Sequence, residues 1–166
     1  ASCTACVAGK YGTQGKQLTD TCTDCGVGKY NSAAGASEAA QCTECPVGTF
    51  GTSATADSAS GCTLCDAGTA NPSSGQSAVT ACAECIKGRF QVEKGKASCT
   101  ACVAGKYGNQ AKQLSDTCTD CGVGKYNSAA GASEAAQCTE CPVGTFGTGA
   151  TADSASGCTL CDAGTA

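Results

Sequence analysis

The residues of this chain best able to do chemistry are its 18 cysteines, and all of them occur in C-x-x-C pairs. Such pairs serve three purposes in proteins: tetrahedral zinc binding, redox catalysis and structural disulfide bonding. The nine pairs open at Cys3, Cys22, Cys42, Cys62, Cys82, Cys99, Cys118, Cys138 and Cys158.

Structural disulfides are the use that the sequence favours. Zinc would take two pairs per ion, and the interval between pairs resembles that of some zinc ribbons. An odd number of pairs and the absence of histidine argue against zinc. Redox catalysis uses one pair at the start of a helix beside a βαβ unit, and nine equivalent pairs without a predicted helix do not fit it.

Nothing else in the sequence forms a catalytic set. Histidine is absent, and neither a convergent acid and base nor a phosphate loop occurs, so we predict no enzyme activity, no cofactor and no metal site. Asp24, Glu44 and Asp66 lie on successive pairs and could in principle hold Ca²⁺, but they are single carboxylates at different offsets. The net charge of −4 comes from scattered charges, which argues against nucleic acid and anionic membranes as partners.

A glycine and an aromatic residue follow each cysteine pair at fixed distances. We predict that the glycine supplies a positive φ or a close backbone approach, and that the aromatic ring packs over the sulfur atoms rather than on a sugar. The glycines are Gly9, Gly28, Gly48, Gly68, Gly88, Gly105, Gly124, Gly144 and Gly164. The aromatic residues are Tyr11, Tyr30, Phe50, Phe90, Tyr107, Tyr126 and Phe146, and Ala70 and Ala166 take the two remaining places.

The composition requires crosslinks in place of an apolar core. Cysteine makes up about 11% of the residues, whereas Val, Leu, Ile and Phe together make up about 10%. So little apolar surface does not offset the conformational entropy of an uncrosslinked chain. Since disulfides persist in oxidising surroundings, we predict an extracellular or cell-surface location.

Two periods organise the chain. Successive pairs open 17 to 20 residues apart, and residues 97–166 restate residues 1–70 with four substitutions. We therefore divide the chain into one long unit of five pairs, residues 1–96, and the start of a second unit, residues 97–166, and expect the array to continue at both ends.

The fold class follows from the segments between the pairs, which are rich in Gly, Ser, Thr and Ala. That composition is typical of turns, and the residues around each aromatic could form two or three residues of strand. We predict small disulfide-rich tandem repeats, mostly irregular with short β-hairpins, in an extended rod-like array without a large hydrophobic core. No apolar run is long enough to span a membrane.

Two disulfide schemes fit the spacing. The preferred, serial scheme joins the second cysteine of each pair to the first of the next, and the rival interlocks neighbouring pairs, as in Cys3 with Cys22. The serial scheme leaves over Cys3 and Cys161. Its bonds are Cys6–Cys22, Cys25–Cys42, Cys45–Cys62, Cys65–Cys82, Cys85–Cys99, Cys102–Cys118, Cys121–Cys138 and Cys141–Cys158.

The pattern C-x-x-C-x-x-G-[KT]-[YF], as in Cys22 to Tyr30 and Cys42 to Phe50, resembles the ephrin-receptor-like cysteine-rich repeats. Similar arrays occur in surface antigens of ciliates and in other extracellular proteins of single-celled eukaryotes. In the usual form of the family a proline follows the second cysteine, and Pro46 and Pro142 match that feature. The resemblance implies a repeat module that serves receptors, coats and adhesive proteins alike.

The near identity of the two units favours a structural function: a disulfide-laddered rod that self-associates into a surface coat or filament, each repeat touching only its neighbours. The alternative is an adhesion or receptor stalk that binds a protein or glycan at the repeat of Ala70 or in the short step from Cys82 to Cys99, where substitution of Arg89 and Phe90 would test it. The Ser- and Thr-rich loops, such as Thr52 to Ser60, could carry O-linked glycans.

Overall fold

The computed structural model describes residues 4–12 and 21–162. Its regular structure consists of 16 very short β-strands and five single-turn 3₁₀ helices, without an α-helix in those residues. The strands are β1 Lys10–Tyr11, β2 Thr23–Asp24, β3 Lys29–Tyr30, β4 Thr43–Glu44, β5 Thr49–Phe50, β6 Thr63–Leu64, β7 Thr69–Ala70, β8 Ala83–Glu84, β9 Arg89–Phe90, β10 Thr100–Ala101, β11 Lys106–Tyr107, β12 Thr119–Asp120, β13 Lys125–Tyr126, β14 Thr139–Glu140, β15 Thr145–Gly147 and β16 Cys158–Leu160.

The strands form eight separate two-stranded sheets, each made of one strand and the next. The first strand holds the residue at the aromatic position, and the second holds the two residues inside the following C-x-x-C. In the sheet of β3 and β4, Tyr30 lies opposite Thr43, and Lys29 lies opposite Glu44. Aromatic residues and threonine favour this pairing, but an isolated hairpin of this size is not stable in water, so the strands need further support.

Each 3₁₀ turn ends immediately before the first cysteine of a pair. At Ala39–Gln41, Glu38 and Gln41 form a reciprocal capping box that satisfies the free backbone donors of the turn. The following cysteine adopts an extended backbone, which ends the helix after one turn. The five turns are Ala39–Gln41, Ala59–Gly61, Val79–Ala81, Ala135–Gln137 and Ala155–Gly157.

The chain forms two compact units. One comprises Ala1–Ala83 with Glu93–Ser98, and the other comprises Glu84–Val92 with Cys99–Ala166. The boundary therefore divides the segment between Cys82 and Cys99. Strand β9 belongs to the second unit, and the loop Glu93–Ser98 that follows it belongs to the first.

The buried residues of each unit are small. They are cysteine and alanine, joined by asparagine, glutamine and threonine. The largest side chains that are less than 2% exposed are Asn71, Cys45, Cys65, Cys85 and Cys102. Disulfide sulfur thus takes the place that large aliphatic side chains occupy in an ordinary core.

These features confirm the predicted fold class: small disulfide-rich repeats with short β-hairpins. The Ala-rich stretch Ala39–Gln41 forms a single 3₁₀ turn, because the next cysteine pair follows directly and leaves no room for a stable helix. Within residues 4–12 and 21–162, no helix is long and apolar enough to cross a bilayer.

Candidate functional site

The repeated feature with chemical content is a ladder of eight disulfides. Each bond joins the second cysteine of one pair to the first cysteine of the next, which is the serial scheme, with Cα atoms 5.5 to 5.8 Å apart. The bonds are Cys6–Cys22, Cys25–Cys42, Cys45–Cys62, Cys65–Cys82, Cys85–Cys99, Cys102–Cys118, Cys121–Cys138 and Cys141–Cys158.

The glycine that follows a cysteine pair can tie its repeat to later ones, as Gly48 illustrates. Its φ of +78° is a conformation that side chains disfavour. Its N–H donates to the Asn71 carbonyl at 2.7 Å, and its own carbonyl accepts from the Cys65 N–H at 2.8 Å. A methyl group at this position would lie 2.1 Å from the carbonyl oxygen of Gly95. Gly48 therefore provides both a positive φ and a close backbone approach; we call this arrangement the glycine lock.

The glycine lock recurs along the chain. We define a repeat as the residues from the first cysteine of one pair to the residue before the next pair. The hydrogen bonds of the glycine lock join a repeat to the next one along the chain. The close backbone approach reaches the repeat after that. The expectation that each repeat touches only its neighbours is therefore wrong, because the loops are long enough to fold back over two repeats. The close approaches are Gly9 to Thr55, Gly28 to Gly75, Gly48 to Gly95, Gly88 to Gly131 and Gly105 to Thr151. Gly68, like these glycines, has a positive φ.

Sequence reasoning missed the residue that follows the aromatic position. Asn71 is 1% exposed, and its side-chain amide donates to the Thr49 carbonyl at 2.8 Å while its Oδ1 accepts from the Ser73 N–H at 3.0 Å. Asn31 and Asn127 are also buried. The sequence feature that could have predicted this role is the recurrence of asparagine directly after the aromatic position.

A second missed set is the glycine at the tip of several loops. These residues have positive φ, and each donates its N–H to the carbonyl of a second cysteine in the preceding repeat at 2.7 to 2.8 Å. The pairs are Gly35 with Cys6, Gly75 with Cys45, Gly95 with Cys65 and Gly131 with Cys102. Lys112 takes this role toward Cys85 with φ +55°. The loop composition predicts turns at these positions. It does not predict that their N–H groups donate to cysteine carbonyls of the preceding repeat.

The aromatic residues are less enclosed than the cysteines. Tyr11, Tyr30, Phe50, Phe90, Tyr107 and Tyr126 are partly buried, and Phe146 is 45% exposed. Their predicted packing over the sulfur atoms stays a prediction. Ala70, which replaces an aromatic residue, is buried at 6% exposure.

The three carboxylates considered for Ca²⁺ each have a separate partner. Asp24 pairs with Lys10 at 2.8 Å, Asp66 pairs with Lys94 at 2.8 Å, and Glu44 accepts a hydrogen bond from Ser74 at 2.6 Å. The hydrogen bond and charge of Asp66 raise the pKa of Lys94. Nowhere in the described part of the chain do three potential metal ligands gather, so these carboxylates belong to surface pairs between repeats.

One described cysteine, Cys161, has an exposed thiol. Its N–H donates to the Gly144 carbonyl at 2.9 Å, as the N–H of Cys65 does to Gly48. Its backbone therefore keeps the geometry of a second cysteine of the ladder. Cys3, the other cysteine left over by the serial scheme, and Gly164 and Ala166 lie outside the described residues.

Comparison with known families identifies the repeat. Residues 12–62 match the family model described as tyrosine-protein kinase ephrin type A/B receptor-like, and residues 108–158 restate that segment with four substitutions. Residues 12–62 are thus similar to the ephrin-receptor-like cysteine-rich repeats, and the ladder of disulfides between tandem hairpins is consistent with that type of repeat. No curated protein matches the chain.

The ephrin-receptor-like repeat is a non-catalytic type of domain, found in extracellular structural and receptor-like modules. The eight disulfides of this chain also indicate an extracellular location. Within the described residues, eight disulfides close the loops covalently, and at the glycine lock backbone hydrogen bonds join a repeat to later ones.

Proposed function

We propose that this protein is an extracellular structural protein whose repeats build a cell-surface coat or a self-assembling filament. The observation that carries the proposal is the glycine lock. Its contacts use backbone atoms and glycine, so the same contact recurs at Gly9, Gly28, Gly48, Gly88 and Gly105 although the loops differ in sequence. A device of this kind serves length and regular stacking.

The electrostatics of the repeats support the same function. The ion pairs are cross-strand or loop pairs at the surface, such as Lys10 with Asp24 and Lys106 with Asp120 at 3.0 Å. Exposed pairs of this kind contribute between about 0 and 1 kcal/mol each. Each of these ion pairs places a positive and a negative charge side by side, so the pairs create no patch of one sign. This arrangement suits close packing of copies of the chain.

Electron microscopy of the native material, with and without a reductant, tests the proposal. Uniform fibres or a coat with an axial repeat, which fray when the disulfides are reduced, are expected. Dispersed single chains under all conditions would refute it. O-linked glycans on exposed loops such as Thr52 to Ser60 form part of the proposal, and an intact mass equal to the disulfide-bonded polypeptide would exclude them.

The second candidate is an adhesion or receptor stalk, favoured by one observation. Arg89, the only arginine of the chain, is exposed beside partly buried Phe90, and its guanidinium donates to the Cys99 carbonyl at 3.1 Å. If Arg89→Ala abolishes binding to cells or glycans and leaves all eight disulfides intact, the stalk function replaces the structural one. Ala70 offers no comparable surface because it is buried.

A further inference from the structure

The short turns that follow the cysteine pairs are bonded one to the next. In the turn that opens at Pro46, the N–H of Thr49 donates to the Pro46 carbonyl at 3.2 Å. The carbonyl of Gly48, inside that turn, accepts from the N–H of Cys65 at 2.8 Å, and the next turn begins directly after Cys65. Within each compact unit the turns therefore form a row. The same bond, at 2.8 to 3.0 Å, joins Cys25 to Gly9, Cys45 to Gly28, Cys102 to Gly88 and Cys121 to Gly105.

The first two residues of these turns define two rows, one in each compact unit. The first turn row consists of Val7–Ala8, Gly26–Val27, Pro46–Val47 and Asp66–Ala67. The second turn row consists of Ile86–Lys87, Val103–Ala104, Gly122–Val123, Pro142–Val143 and Asp162. Each row thus contains three successive turns without a charge.

The aliphatic side chains of both rows are exposed even where the repeat is fully covered. The glycines in the turns of Val47 and Ile86 lie against the backbone of the repeat two steps along, yet these side chains are 45% and 68% exposed. Val7 and Val103 occupy the same position in the two units, and they are 63% and 61% exposed. The exposure is therefore a property of the turn itself. Recurrent exposed apolar residues of this kind mark an interaction surface.

The area that one turn offers restricts what can bind there. An exposed aliphatic side chain presents on the order of 100 Å², whereas a stable interface takes roughly 800 Å² from each partner. Several turns of one row must therefore contact the partner together, so the partner must present apolar groups at the spacing of the repeats. A second copy of this chain has that spacing.

The charged residues of the rows select one alignment of the two copies. We propose that the first turn row of one copy docks antiparallel on the second turn row of another copy. Val47 then faces the turn of Val103, and Asp66 faces the turn of Lys87, which is its opposite charge. A parallel alignment that matches the three uncharged turns would instead bring Asp66 to Asp162, and like charges in an interface are unfavourable.

Because each copy carries both rows, the contact can add further copies. This inference rests on the proposed structural function and supplies its contact.

Sedimentation velocity of the oxidised 166-residue chain, with its free thiols alkylated, tests the proposal over a concentration series. Val103→Asp places an unpaired carboxylate in the docked surface, so we expect the dissociation constant to rise roughly tenfold or more. The matched control is Val79→Asp, because Val79 is equally exposed, at 62%, but lies in a 3₁₀ turn outside both rows. This control should stay within about twofold of the unchanged protein. Mapping of the eight disulfides checks that both variants fold.

Charge reversal tests the antiparallel alignment. Asp66→Lys and Lys87→Asp should each weaken association, and the double variant should restore it, because the two charges then face each other with exchanged signs. Asp66 also pairs with Lys94 of its own chain. Lys94→Ala removes only that pair and should leave the dissociation constant within about twofold.

The proposal is overturned if the unchanged chain stays monomeric at every concentration, or if Val79→Asp weakens association as much as Val103→Asp. It is also overturned if Asp66→Lys strengthens association, or if the double variant associates no better than the single ones. Native fibres together with a fully associating Val103→Asp variant would refute this contact and leave the structural function standing. Association through the two rows without native fibres would refute the structural function instead.

Discussion

The glycine of the lock makes two separate demands at one residue. It must adopt a positive φ, as at Gly48 and Gly144, which are at +78° and +82°. It must also leave room for a carbonyl from two repeats away, and Gly48 alone of this pair meets that second demand. A glycine at a fixed position in the sequence indicates that either a positive φ or a close backbone approach is required. The sequence does not tell which of the two requirements applies.

Replacement of these two glycines by alanine should separate the two effects. We expect Gly144→Ala to cost about 1 to 2 kcal/mol, the penalty of a left-handed conformation. Gly48→Ala should cost more by about 1 to 3 kcal/mol, because the methyl group also forces apart two backbone segments. The measurement is amide hydrogen exchange of Cys65 and Cys161, whose N–H groups donate to the two glycine carbonyls. Equal losses of protection would contradict the lock.

The repeating structural element of this protein is a two-stranded hairpin together with one disulfide. A strand of two residues adds little stability alone, and closing a loop of about 15 residues with a disulfide adds roughly 3 kcal/mol in the chain-entropy model. The composition therefore predicted the element type, because it supplies too few large apolar residues for an uncrosslinked core. It did not predict that disulfides of the same sequence differ in burial.

Limited reduction should act on equivalent disulfides at different rates. Cys45 and Cys62 are buried, at 0% and 8% exposure, whereas their counterparts Cys141 and Cys158 are only partly buried. A thiolate must reach the sulfur to attack it, so Cys141–Cys158 should open first. Brief treatment of dilute protein with a reductant, followed by alkylation and peptide mapping, measures the order. Simultaneous opening of the two bonds would show that burial does not protect them.

At the scale of the whole molecule, the lock makes the repeats interchangeable. Its hydrogen bonds and close approaches involve backbone atoms, so after removal of one repeat the flanking repeats can form the same backbone contacts, although side-chain contacts such as Ser74 with Glu44 are lost. Repeat proteins behave in this way when stability is a sum over similar neighbouring units.

Deletion of residues 42–61, one complete repeat, should leave a chain that folds with seven serial disulfides, one of which is a new Cys25–Cys62 bond. Disulfide mapping of the oxidised variant measures the result. A deletion of residues 52–61 serves as the control, because it shortens one loop and removes Thr55 and Ala56, which cover Gly9 and accept the Asn31 N–H. Scrambled pairing in the first variant would contradict interchangeable repeats.

The sequence by itself determined the class of this protein. The nine C-x-x-C pairs, the fixed glycine and the scarcity of large aliphatic residues are local features, and they suffice to predict disulfide-rich repeats with short hairpins and an extracellular setting. The spacing left two disulfide schemes open, because both close loops of acceptable length.

The tertiary structure alone decided how the repeats hold one another. The reach of Gly9 to Thr55 and the burial of Asn71 depend on segments far apart in the sequence. Every residue has a backbone carbonyl, so the sequence does not show which carbonyl approaches a given glycine. The physical reason is that the contacts between repeats are made mainly by the backbone, which is the same at every residue, so only the fold determines which atoms meet.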